Sequence, residues 1–155
     1  MQMQNQAMLR CHLPGEEDSR HEMVPAPSLF RILIVNEDLR SADSLKCTLY
    51  DLGYTRVLTT CSARRALLAV AGFAPSIALL DLELPDMSGY QLANLFRSHL
   101  SKTVRKLPLL AIAEFPRHGT PELTRAAGFM GWLPKPVDAL ALNAYLGKLQ
   151  TGAWS

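Results

Sequence analysis

The sequence predicts an α/β domain over residues 30–150, built on a doubly wound, five-stranded parallel sheet with helices on both faces. Three observations lead there. Short apolar runs recur between segments whose apolar residues follow helical spacing. The first run, Ile32-Leu33-Ile34-Val35, does not alternate with polar residues, which suits a strand covered on both faces. Strand and helix then alternate five times, and right-handed crossovers turn such a series into a parallel sheet.

The elements follow in order. The first strand covers Arg31–Val35. A helix over Leu39–Leu52 places Ala42, Leu45, Leu49 and Leu52 at helical spacing, and Gly53 stops it. Thr55–Thr59 is the second strand. Ser62 caps a helix over Ala63–Ala71. Ser76–Leu80 is the third strand, with Asp81 at its end. Gly89–Leu100 forms a helix with Leu92, Leu95 and Phe96 inward. Leu107–Ala113 is the fourth strand. Thr120 caps a helix to about Ala127, and Phe129–Leu133 is a short fifth strand. Pro134 at its end, lacking an N–H, suits a sheet edge. Asp138 caps the last helix, whose Leu140, Leu142, Tyr145 and Leu149 are mostly core.

Composition narrows the function classes. A chain of 155 residues, 48% hydrophobic and 19% charged, matches one soluble domain with a sizeable core. A net charge of +2 gives no electrostatic footprint for direct nucleic-acid binding. No apolar run approaches the roughly 20 residues that span a bilayer, so no membrane association is expected. Residues 1–29 are rich in Gln, Met and Pro. Glu16, Glu17, Asp18 and Glu22 outweigh Arg10 and Arg20 there, and the composition predicts a flexible acidic tail without a secretion signal. Residues 151–155 form a second, short tail. Cys11, Cys47 and Cys61 are odd in number and far apart, as expected of reduced thiols in the cytoplasm.

The polar residues that could carry chemistry sit at strand ends. Asn36-Glu37-Asp38 follows the first strand, Asp81 and Glu83 the third, and Lys135-Pro136 the fifth. In a doubly wound sheet the C-terminal ends of strands 1 and 3 are neighbours at a topological switch point, where ligands bind. Glu37, Asp81 and Lys135 should therefore converge. Carboxylates gathered at one place repel one another unless a divalent cation joins them, and oxygen ligands favour magnesium. A carboxylate nucleophile with magnesium and a lysine suits phosphoryl transfer.

Four pieces in this order carry a family resemblance: the acidic turn after Ile32–Val35, the helix segment Ser41-Ala42-Asp43-Ser44-Leu45, the stretch Leu79-Leu80-Asp81-Leu82-Glu83-Leu84-Pro85-Asp86-Met87-Ser88-Gly89, and Gly131-Trp132-Leu133-Pro134-Lys135-Pro136-Val137-Asp138. With them the chain resembles a receiver domain of bacterial two-component response regulators, and is similar to receivers attached to hybrid sensor kinases. The resemblance implies a flavodoxin-like sheet of order 2-1-3-4-5. It implies Asp81 as phosphoacceptor from a histidine kinase or phosphotransfer protein, and Lys135 as partner of the phosphoryl oxygens. Glu37, Asp81 and the backbone carbonyl of Glu83 would bind magnesium, with Asn36 just outside the ligands. A cis Lys135–Pro136 bond is also implied.

The chain departs from the family pattern in ways that bear on function. Ala113 stands where a Thr or Ser hydroxyl would meet the phosphoryl group, and a hydrogen bond to a charged group contributes about 1.5–3 kcal/mol. Asn36 removes one acid, and Glu37 is a methylene longer than the usual Asp, so magnesium should bind more weakly. Trp132 occupies the position of the family's aromatic switch residue and is expected to fill space left by Ala113. His99 and His118 are expected at the surface, and Arg97, Lys102, Arg105 and Lys106 in a solvated loop.

Three function classes follow. The first is a stand-alone phospho-accepting receiver, a signalling module and not an enzyme. The alternative is a pseudo-receiver that binds proteins without phosphorylation. The third, an aspartate-nucleophile phosphatase, is disfavoured because Glu83 stands where a second Asp is needed. A flavin module is disfavoured because Asn36-Glu37-Asp38 would repel phosphate. If the chain is the whole protein, its output is a protein contact on the face of the fourth helix, fifth strand and fifth helix, with a homodimer as a further partner.

Overall fold

The computed structural model describes residues 29–152. Five strands, β1 (Arg31–Val35), β2 (Arg56–Thr60), β3 (Ile77–Asp81), β4 (Leu109–Ala113) and β5 (Gly131–Pro134), form one sheet in the order β2-β1-β3-β4-β5. Every neighbouring pair is parallel, and the register sets Val35 beside Thr60 and Leu80, and Asp81 beside Ile112. The expected doubly wound sheet is present.

Pleating explains why the central strands are apolar throughout. Alternate residues point to opposite faces, and both faces are covered. Leu33, Val35, Ala78, Leu80, Leu109, Ala111 and Ala113 pack against α2 (Ala63–Phe73) and α3 (Gly89–Arg97), which contribute Ala66, Val70, Leu92, Ala93 and Phe96. Ile32, Ile34, Ile77, Leu79, Leu110 and Ile112 pack against α1 (Leu39–Asp51) and α5 (Ala139–Thr151), which contribute Ala42, Leu45, Leu49, Leu142 and Leu146. The remaining helix, α4 (Pro121–Ala126), lies against the edge strand β5.

The caps expected at Ser62, Thr120 and Asp138 form, and Asp38 and Ser88 add two more. Asp38, Ser62, Ser88, Thr120 and Asp138 each accept a backbone N–H in the first turn of the following helix. Ser88 and Gln91 complete a reciprocal capping box. Asp86 adds a longer-range cap: its two carboxylate oxygens accept from Ala63 and Arg64 N–H at 3.0 and 2.8 Å, tying the loop after β3 to the start of α2.

Several boundaries and burial assignments differ from expectation. Leu95 is 43% exposed and Leu140 80% exposed, although both were expected inside. At 3.6 residues per turn, Leu95 lies roughly a third of a turn from the centre of the face made by Leu92, Ala93 and Phe96. Leu140 lies opposite Leu142 and Leu146. The helix α3 stops at Arg97, and a separate turn of helix, Lys102–Arg105, buries Val104. Expected strand β5 began at Phe129, but Phe129 belongs to the α4 turn. Its N–H bonds to the Thr124 carbonyl and its ring packs edge-on to Tyr90. Tail residues Thr151 and Gly152 instead end α5, with Gly152 as its left-handed cap. Residues 1–28 and 153–155, with Cys11, fall outside the described residues; Cys47 and Cys61 are exposed thiols.

Two basic residues expected in a solvated loop are structural clamps. The Arg97 guanidinium donates to the carbonyls of Arg105, Leu107 and Gly128, and desolvation lowers its pKa from the ordinary value. Arg105 donates to His99 and Leu100 carbonyls.

The two N–H groups of α2 hold the Asp86 carboxyl below the usual aspartate range, the Arg64 N–H being the larger cause. A depressed folded-state pKa contributes stability above the unfolded pKa of about 3.9 and loses it as pH falls through the folded value. Asp86→Ala should therefore cost about 0.5–2 kcal/mol at pH 7, typical of a lost helix cap. Urea denaturation at pH 7 and below pH 4 should show that gap narrowing in acid.

Candidate functional site

Asp81 is the last residue of β3, at the C-terminal edge beside β1. Its side chain is only 5% exposed. A buried carboxylate needs compensation, and two donors provide it. Lys135 Nζ lies 2.9 Å from Oδ2, and the Glu83 N–H donates to Oδ1 at 3.0 Å. Lys135 follows β5, two strands away, so its ammonium reaches Asp81 across the end of β4.

The loop after β3 folds back tightly. Glu83 bridges to Ser88, and the Gly89 N–H donates to the Leu82 carbonyl at 2.9 Å. A Cβ on Gly89 would lie 2.6 Å from the Asp81 carbonyl oxygen and 2.8 Å from the Leu82 Cα. Neither is a mobile side chain, so the spacing from Asp81 to Gly89 is a packing requirement of the loop. Leu82 and Leu84 anchor it in the core.

The turn after β1 is ordered by its own side chains. Asn36 is 6% exposed, and its Oδ1 accepts the Asp38 N–H at 2.9 Å. Asp38 caps α1 and accepts from the Ser41 hydroxyl, the leading cause that lowers its pKa. Glu37 is exposed on this turn. Among the described residues no three acidic, histidine or cysteine side chains stand close enough to hold a metal ion by themselves. Instead of joining Asp81, the Glu83 carboxylate contacts His118 Nε2 at 3.0 Å and Arg117 at 3.9 Å. Asp81 and Lys135 are in direct contact. The oxygen donors expected for a cation are the Asp81 carboxylate, the Glu83 carbonyl and the exposed Glu37. That donor set fits magnesium, which commonly takes one or two carboxylates and keeps several waters.

Ala113 ends β4, is 1% exposed and presents only a methyl group. Trp132 packs on Phe115, two residues past Ala113, with ring centroids 5.5 Å apart. The Lys135–Pro136 bond is cis, as expected, and so is Phe115–Pro116.

Sequence reasoning placed His118 at the surface. Its side chain is 6% exposed and bonded on both ring nitrogens. It also missed Tyr90, whose hydroxyl donates to the His118 carbonyl at 2.9 Å and lies 3.1 Å from Thr124 Oγ1. Gly119 beside it, at φ +114°, leaves no room for a Cβ against that hydroxyl.

The fold is a 2-1-3-4-5 parallel α/β sheet with a buried aspartate at its switch point, paired with a lysine that follows the edge strand. The chain belongs to the response regulator receiver domain family, whose model matches residues 32–146. It is 32% identical over 111 residues to an uncharacterized 14.6 kDa protein of Leptolyngbya boryana, covering 72% of this chain and 82% of that one. It is 27% identical over 154 residues to the sensor histidine kinase AtsR of Burkholderia thailandensis, covering 92% of this chain and 24% of the kinase. Among solved structures, the receiver domain of the sensor histidine kinase PA1611 from Pseudomonas aeruginosa, with a magnesium ion coordinated in its active-site cleft, matches at TM-score 0.70 and 24% identity. The match covers 79% of this chain and 98% of that one. No helix among the described residues is long and apolar enough to cross a membrane.

Gly89→Ala should force the loop away from the Asp81 backbone. The expected cost is about 1–3 kcal/mol, the range for overpacking, measured as a lower urea midpoint with unchanged slope.

Proposed function

We propose that this chain is a phospho-accepting receiver of a two-component phosphorelay. Asp81 takes a phosphoryl group from a histidine kinase or phosphotransfer protein in the cytoplasm, and signalling proceeds through protein contacts. The carrying observation is the Asp81–Lys135 contact of 2.9 Å at the sheet edge. In the transfer, an Asp81 carboxylate oxygen forms the new P–O bond as the P–N bond of the donor phosphohistidine breaks, its electron pair returning to the donor imidazole. Lys135 would neutralise the phosphoryl oxygens, a role its contact with Asp81 supports, while the Glu83 N–H holds the carboxylate. Magnesium would be held by Asp81, Glu37 and the Glu83 carbonyl, with Asn36 ordering the turn beside it. Bound there, it would neutralise charge on the phosphoryl group. The phosphoryl transfer is self-directed, so the chain acts as a signalling module and not on a separate substrate.

The output surface we assign is the α4–β5–α5 face. It carries the half-buried Trp132 and the 56% exposed Leu123. A receiving protein or a second copy of the chain would dock there.

A phosphorylation-independent module is the second reading. Ala113 favours it, because its methyl cannot hydrogen-bond a phosphoryl oxygen and so weakens the link from Asp81 to that face.

Intact mass after incubation with magnesium and a small phosphodonor or a phosphorylated phosphotransfer protein separates the two. One phosphoryl adduct on the wild type and none on Asp81→Asn is the expected result. No adduct from either donor on folded protein supports the second reading. Ala113→Thr should raise the adduct's lifetime or yield and shift Trp132 emission. An unchanged spectrum would remove the proposed coupling between positions 113 and 132.

A further inference from the structure

The segment after β4, Glu114–Thr120, carries Phe115, on which Trp132 packs. It adjoins the Asp81 loop at the same sheet edge. With a methyl group at position 113, the side-chain links from this segment to the Asp81 loop, among the described residues, both end on Glu83. One is His118 Nε2 to Glu83 Oε1 at 3.0 Å, and the other is Arg117 to Glu83 at 3.9 Å.

These two links are unequal. The Arg117 side chain is 70% exposed, and exposed ion pairs contribute little. The His118 side chain is 6% exposed, although the Glu83 carboxylate it meets is on a side chain 60% exposed. Its Nδ1 accepts the Glu114 N–H at 3.1 Å, which fixes the ring proton on Nε2, aimed at the Glu83 carboxylate. A hydrogen bond to an ionised acceptor is among the stronger kinds. The same residue is held through its backbone: the Tyr90 hydroxyl donates to the His118 carbonyl, and Gly119 leaves room for that hydroxyl. His118 is thus bonded at once to the Asp81 loop through Glu83, to its own segment through Glu114, and to α3 through Tyr90.

We propose that His118 is a positioning residue that couples the Asp81 loop to the Trp132 surface, through Glu83 on one side and the Glu114–Phe115 backbone on the other. The coupling is a property of the unmodified protein. It goes beyond the phosphoacceptor reading and does not require Asp81 to be phosphorylated. In this chain the link from the acidic loop to the α4–β5 surface runs through an imidazole five residues beyond Ala113, and not through the end of β4 itself.

The test uses the full chain carrying Trp154→Phe, which leaves Trp132 as its one tryptophan. Acrylamide quenching of Trp132 is measured with urea denaturation on the same samples to confirm folding. His118→Ala and Glu83→Ala should each raise the quenching constant by about 1.5- to 3-fold, an estimate on the scale of losing one charge-assisted hydrogen bond that holds a loop closed. The double variant should match His118→Ala alone, because both changes cut one link. His118→Gln, whose amide N–H can reach Glu83, should restore most of the wild-type value, whereas a purely space-filling role would not respond to the donor. Quenching unchanged in His118→Ala would overturn the proposal. So would additive effects in the double variant, or a failure of the folded Gln variant to recover.

Discussion

The contact between Asp81 and Lys135 is the constraint on which the rest of this molecule depends. A carboxylate 5% exposed cannot be left without compensation, and the fold supplies it from opposite ends of the topology. Asp81 closes a strand at the centre of the sheet, while Lys135 follows the edge strand, 54 residues later. They meet only if β3, β4 and β5 lie side by side in parallel, with β4 ending short enough for the lysine to cross. The same pairing leaves the carboxylate pre-oriented and partly neutralised, the condition under which a nucleophilic oxygen can approach an anionic phosphoryl group.

Around this pair the loops are shaped by backbone chemistry more than by bulk. Gly89 lets the loop after β3 return against the Asp81 carbonyl. Asp86 fastens that loop to α2, and Asn36 orders the turn after β1. The cluster of acids that a tighter cation site would use is relaxed here. Asn36 carries no charge, Glu37 is exposed at the rim, and Glu83 is committed to His118. The Asp81–Lys135 pair thus stands in a neighbourhood with few free carboxylates.

The segment after β4 gathers its polar contacts away from the strand end. A methyl at position 113 removes any polar contact at the strand end. The polar contacts of this segment are gathered instead at His118, which is buried against Glu83, Glu114 and Tyr90. Phe115, next along the chain from the Glu114 N–H that His118 accepts, packs on Trp132.

Much of the molecule was legible in the sequence because it rests on local rules. Apolar runs without alternation mark β1, β3 and β4, since strands covered on both faces have no polar side to show. Ser62, Thr120 and Asp138 mark helix starts through a side-chain oxygen within reach of the first turn. Asp81 and Lys135 were identifiable because strand ends of a doubly wound sheet converge. What the sequence did not reveal depends on groups distant along the chain. Helical spacing permitted Leu95 and Leu140 to face inward, and only the position of the sheet decided that they do not. The guanidinium of Arg97 became a clamp because three carbonyls from separate segments happen to face it. His118 carries no local mark of burial. Its partners lie 4, 28 and 35 residues away, and tertiary packing alone brings them together. The sequence by itself determined the strands, the helix starts and the anchoring pair, because periodicity, capping and topology act on neighbours and on strand ends. The tertiary structure decided which remaining polar groups lost their water, because desolvation depends on everything packed around a side chain.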